Sequence, residues 1–254
     1  WFERADAMEV FYELLGTVAP FTLHVMDKSQ PAIVFRYPWQ GCTTPVESQT
    51  MVAFVVTMVY TVTFDGFAES PVYREIYFGV QEMFGVGGTV SVLLYCFGLI
   101  GFVGGFMTIA TVVDRVITEG QTRVELTNQH HIDSDGGATV TTVLALGPTV
   151  LPIAAGYEFA HNFSYVLTYA GRLPTIVGAP SVDLLWWLSL PLLWGTQVLL
   201  IVVGHVVAVV TADAVVRQLT STDQWAIVAH VPLLILMIGY TVLSLWIVSL
   251  PVAV

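Results

Sequence analysis

Apolar residues run along this chain in long stretches, not at the short regular intervals of an element with one face in water. A helix that crosses the hydrocarbon of a bilayer uses about 17–25 such residues. Five windows fall in that range or just above it: 51–67, 87–113, 138–165, 184–211 and 225–252. Two shorter segments are one-sided instead. In 7–18, Phe11, Leu14, Leu15 and Val18 make a single apolar stripe, and Asp6 and Glu9 stand at capping-box spacing. In 71–84, Ser70 is placed to cap, Pro71 takes the first helical position, and Tyr73, Ile76, Tyr77, Val80 and Phe84 share a face opposite Arg74, Glu75 and Glu82. The pattern therefore predicts an all-α integral membrane protein with about five transmembrane helices and two interfacial amphipathic helices. It reads as a single helical membrane domain over 1–254.

Between these windows the segment 119–137 (EGQTRVELTNQHHIDSDGG) is polar throughout and reads as a mobile cytoplasmic loop. Pro148 and Pro152 lie one turn apart inside the third window and predict a bend there. Gly101 and Gly105 form a GxxxG pair in the second window, spacing that lets a neighbouring backbone come close. No internal repeat is visible, so the inverted symmetry of many secondary transporters is missing.

Composition then fixes the solvent. Only 11% of the residues are charged, against roughly 25% in a soluble domain, and the mean hydropathy is +0.76. Eight Lys and Arg against 19 Asp and Glu leave a formal charge of −11. An acidic chain nearly free of lysine suits a salty, halophile-like interior, where ions screen its self-repulsion. A basic footprint for nucleic acid is absent. Arg4, Lys28, Arg36, Arg115, Arg123 and Arg217 fall on one side of the predicted topology and only Arg74 and Arg172 on the other. The positive-inside rule then sets the N-terminus in the cytoplasm of a multi-pass cell-membrane protein, with the two amphipathic helices at opposite interfaces. The chain begins at Trp1 and reads as a mature, truncated or partial product. Cys42 and Cys96 do not suggest a disulfide framework.

Polar groups inside such a chain are costly and mark function by default. They sort into two clusters. At the predicted outer end, Glu158 and His161 stand at ExxH spacing in YEFAHNFSY, with Asn162 beside them and Asp65 ending the first window on the same side. Asp65, Glu158 and His161 make a chemically sensible mononuclear site for zinc or iron; the competing reading is a helix end bonded to nearby carbonyls. At the inner end, His205, His230 and Asp213 could ligate a metal such as Zn, Fe or Cu, or, less readily, a haem; the histidines could equally relay protons or bond across helices. His130 and His131 read as solvated. No Ser-His-Asp elbow, P-loop, Rossmann fingerprint or HExxH helix occurs.

The segments WFERADAMEVFY (1–12), TFDGF (63–67), PIAAGYEFAHNFSY (152–165), GHVVAVV (204–210) and LMIGYT (236–241) together resemble a family of large multi-pass membrane proteins from actinobacteria and halophilic archaea. Many of its members carry the label fenitrothion hydrolase, an organophosphate-ester hydrolase name. The resemblance implies that this chain corresponds to the C-terminal part of longer family members, and that the family's polar positions fall on Asp65, His161, His205 and Asp213. The last of these often holds histidine in the family. Three functions stay open on the sequence: a metal-dependent membrane hydrolase, a non-catalytic subunit packed against partner helices or an oligomer, and a transporter component.

Overall fold

The computed structural model describes residues 6–26, 30–85, 87–128 and 138–250. Among them, five helices are long and apolar enough to cross a membrane. They correspond to the five predicted windows: α3 (Gln49–Ala68), the first part of α5 (Thr89–Asn128), the composite span Thr142–Val177, α8 (Leu190–Leu219) and α9 (Asp223–Ser249). At its N-terminus α3 is capped by Ser48, whose hydroxyl accepts from the Met51 N–H at 3.3 Å. Its stripe of Val52, Val55, Val56 and Val59 is buried.

The composite span is the centre of the bundle. Fully 78% of its apolar window is buried inside the protein, whereas the corresponding share for α5 is 6%. It consists of α6 (Ala138–Leu146), a 3-10 turn at Gly147–Val150 and α7 (Leu151–Ala170). Pro148 and Pro152 open the turn and α7 respectively, so the predicted break falls where the prolines remove ladder donors. All four residues of the turn are buried. Irregular backbone at membrane depth is tolerated when protein covers it, and here Val52 of α3 does so: a Cβ on Gly147 would sit 2.9 Å from its side chain.

Helices α7 and α8 form the most extensive interhelical contact. Gly156 and Gly204 make it possible, since a Cβ on Gly204 would lie 2.6 Å from the Pro152 carbonyl and one on Gly156 2.8 Å from that of Leu200. The predicted GxxxG pair behaves differently. Among the described residues nothing lies within 4 Å of a Cβ built on Gly101 or Gly105.

The two amphipathic helices form as expected. Asp6 caps α1 (Ala7–Val18) by accepting from the Met8 N–H at 2.9 Å. Ser70 caps α4 (Pro71–Phe84), which stops at Gly85 in the left-handed region, φ +63°. Helix α1 packs along α7, where Phe11, Tyr12, Leu15 and Val18 share a groove with Ala155 to Leu167.

Two further features depart from the expectation. A β-hairpin pairs β1 (Phe21–Met26) with β2 (Gln30–Phe35), Phe21 opposite Phe35, and a short helix α2 (Pro38–Gly41) follows. Helix α5 also continues through 119–128, the first half of the segment read as a loop. At about 1.5 Å per residue its 40 residues outrun the hydrocarbon core, so this polar half extends into water. His130, His131 and the rest of that loop, 129–137, lie outside the described residues.

Candidate functional site

The outer cluster comes together as a pair. Asp65, in the last turn of α3, and His161, midway along α7, place Oδ2 and Nε2 3.3 Å apart. His161 is 36% exposed and Asp65 67%. The imidazole borders a pocket of about 250 Å³ between the ends of α3, α7, α8 and α9. Glu69, Ser70 and Tyr157 add polar groups on one wall, Gln197 on another, and Leu193, Trp194, Ile247 and Val248 supply an apolar lining. The Tyr157 ring is buried, and its hydroxyl donates to the Ser244 carbonyl at 3.4 Å.

Glu158 does not join this pair. It looks into a second, larger groove between α1 and α7, together with Asn162. The Asn162 amide donates to Glu158 Oε2 at 2.8 Å and to its backbone carbonyl at 3.1 Å. Three residues correspond to about 60° around a helix. That is enough to put Glu158 and His161 on opposite slopes of one ridge.

The inner cluster is dispersed. His205 is buried and its Nδ1 lies 2.8 Å from the Ile201 carbonyl; that oxygen can only accept, so Nδ1 carries the proton and Nε2 is left as a bare acceptor. A carbonyl-anchored imidazole is the arrangement of a ligating histidine, but among the described residues no second donor meets it. His205 stands fourteen residues before the end of α8 at Leu219, and His230 seven residues into α9 from Asp223. The two rings thus differ in height by about 10 Å. Asp213 binds Arg217 one turn on, at 2.8 Å, and Arg217 also reaches Asp223 at 3.3 Å. His205 Nε2, His230 Nδ1 and the Tyr240 hydroxyl are buried without a hydrogen-bond partner among the described residues.

Neither expected metal site is therefore assembled. Among the described residues no group of three His, Cys, Asp or Glu is arranged to hold a metal ion. The outer site keeps two of its three expected donors together; at the inner end His230 lies within electrostatic range of Asp213, and His205 stands apart from both.

Sequence reasoning missed Trp194 and Gln197, which close the pocket from α8. The one amide in the apolar run LPLLWGTQVLLIVV was the available signal. Comparison with family models, with curated proteins and with solved structures finds no match to this chain.

Proposed function

We propose that the chain is a multi-pass membrane enzyme whose working site is the pocket beside Asp65 and His161, and that it hydrolyses an ester of mixed polarity. The observation that carries this reading is the 3.3 Å approach of Asp65 Oδ2 to His161 Nε2 at the pocket wall. A carboxylate on Nε2 holds the proton on that nitrogen and leaves Nδ1 as the base. In the proposed reaction the oxygen of a water bonds to the phosphorus or carbonyl carbon of the ester, and its proton moves to His161 Nδ1. The bond to the leaving alkoxide then breaks, and the alkoxide departs with that proton. Asp65 stabilises the imidazolium in between. Gln197 offers an N–H to the ester oxygen, and Leu193, Trp194 and Val248 seat the apolar part. The hydrolase label of the family that the sequence resembles agrees with this chemistry.

The proposed step uses only the side chains of the pocket. Purified protein in nanodiscs, assayed with a chromogenic organophosphate triester, tests the proposal. Wild type should release phenolate above the empty-disc background. His161→Ala should lose about 10²–10⁴-fold in rate, the usual contribution of a positioned base. Asp65→Asn should fall with it while keeping the wild-type melting temperature. A chelator should leave the rate unchanged; loss on chelation with recovery on added zinc would replace this mechanism by a metal-dependent one. Absence of wild-type turnover sinks it outright.

The same proposal sets the N-terminus in the cytoplasm, on the distribution of Lys and Arg, and reads the acidic composition as that of a halophile-like protein. A subunit role has one observation in its favour. Only 6% of the most apolar window of α5 is buried, and among the described residues nothing packs against Gly101, Gly104 or Gly105. A transporter reading would rest on the broken third span, whose turn at Gly147–Val150 is buried and packed against Val52.

A further inference from the structure

The groove between α1 and α7 encloses about 720 Å³, a size typical of small-molecule sites. It lies across α7 from the His161 pocket and shares no lining residue with it. Phe11, Tyr12 and Phe21 face it from one side, Phe159 and Phe163 from the other. These rings are not there to cover each other: Phe159 is 66% exposed and Tyr12 64%. Set among them is Glu158. Its hydrogen bond comes from the neutral Asn162 amide, and among the described residues no Lys or Arg lines the groove.

We infer that this groove binds a lipophilic organic cation, a protonated or quaternary amine on an apolar body, taken up from the bilayer. Aromatic faces are electronegative and attract a cation, most strongly where water is excluded. A carboxylate with no cationic partner among the described residues adds charge complementarity in the same place. An anionic amphiphile would meet Glu158 as a like charge, and a neutral one would leave that charge uncompensated in an apolar setting. The Asn162 amide turns its donor to Glu158, which keeps the carboxylate oriented and leaves the amide oxygen as a further acceptor for an N–H head. Leu15 and Val166 provide apolar wall for the tail. The inference stands apart from the proposed hydrolysis, because it uses none of the residues assigned there.

The test is equilibrium binding of radiolabelled dodecyltrimethylammonium to the full chain in zwitterionic nanodiscs, with empty nanodiscs as reference. Saturable binding of one cation per chain is expected. Glu158→Gln, which removes charge and keeps shape, should weaken it at least tenfold, and Phe159→Leu several-fold. Dodecanol should partition alike into wild type and Glu158→Gln. The site is overturned by cation uptake no greater than in empty discs, by Glu158→Gln binding the cation as tightly as wild type, or by dodecanol displacing the cation at equal concentration. If Glu158→Gln does not fold, Phe159→Leu decides, since that ring is largely exposed and its loss leaves the core intact.

Discussion

Cys42 shows at the residue scale how burial governs a reactive group outside the spans. It follows α2, is fully covered, and has its sulfur 3.6 Å from the Thr17 hydroxyl. Burial pushes its thiol above the ordinary range, and the Thr17 hydrogen bond and the Arg36 charge only partly offset that. A buried, protonated thiol is a poor nucleophile. Iodoacetamide at neutral pH should therefore leave Cys42 unmodified in the folded protein and alkylate it fully after denaturation, read by peptide mass. The sign of the pH effect follows. A folded-state pKa raised above the unfolded one contributes stability that is present below the unfolded thiol range and is lost as pH rises toward the folded value. The melting temperature should drop on the alkaline side, and Cys42→Ala should flatten that drop. The Asp65–His161 pair was legible at this scale because each residue is a polar interruption at the same end of an apolar run. The trio was not. Spacing of three along a helix fixes a 60° offset, and only the positions of α1 and α8 decide that Glu158 and His161 fall to different grooves.

Among the elements, the end of α1 illustrates help from a distance in sequence. Arg36, just past β2, donates to the carbonyls of Gly16 and Thr17 at 2.9 Å and of Ala19 at 3.1 Å. A cation at a helix C-terminus both fills open acceptors and opposes the dipole. Arg36→Met keeps the stem and should cost about 1–3 kcal/mol, seen as a lower melting temperature and faster proteolysis near residue 20. Tight glycine contacts give a second contrast. Gly204→Ala should destabilise by about 1–3 kcal/mol, because its Cβ would press on the Pro152 backbone, whereas Gly101→Ala should melt like wild type. If Gly101→Leu shrinks the detergent-extracted particle with no change in melting, the subunit reading gains ground. The five spans and both amphipathic helices were readable because apolar length and one-sidedness are local properties of sequence. The hairpin had a signal too, alternation in FTLHVM ahead of a polar DKS. It was outweighed by the apolar runs around it. The helix over 119–128 had little signal, since a polar face in water and a loop share one composition.

For the whole molecule, the five candidate spans among the described residues set the start of α3 and the end of α9 on opposite sides of a bilayer if each one crosses it. Reporters placed at residues 48 and 250 should report opposite compartments, with 119–128 on the side of residue 48; like signals from both would remove one span from the count. The bundle is uneven in how it holds its members, with the third span enclosed and α5 at the periphery. That unevenness bears on biogenesis through the buried 3-10 turn. At nine residues, α6 is too short to cross a bilayer by itself. Pro148 has no N–H for the Leu144 carbonyl, which accepts instead from the Val46 N–H at 3.1 Å, a donor that lipid cannot supply. As the chain leaves the translocon, this span therefore gains little from resting alone in lipid. It becomes favourable once α3 is present to seat Val52 against Gly147, and α8 to close on Gly156. The least hydrophobic of the five spans is thus committed by its neighbours, and the order of assembly is written into the position of two prolines.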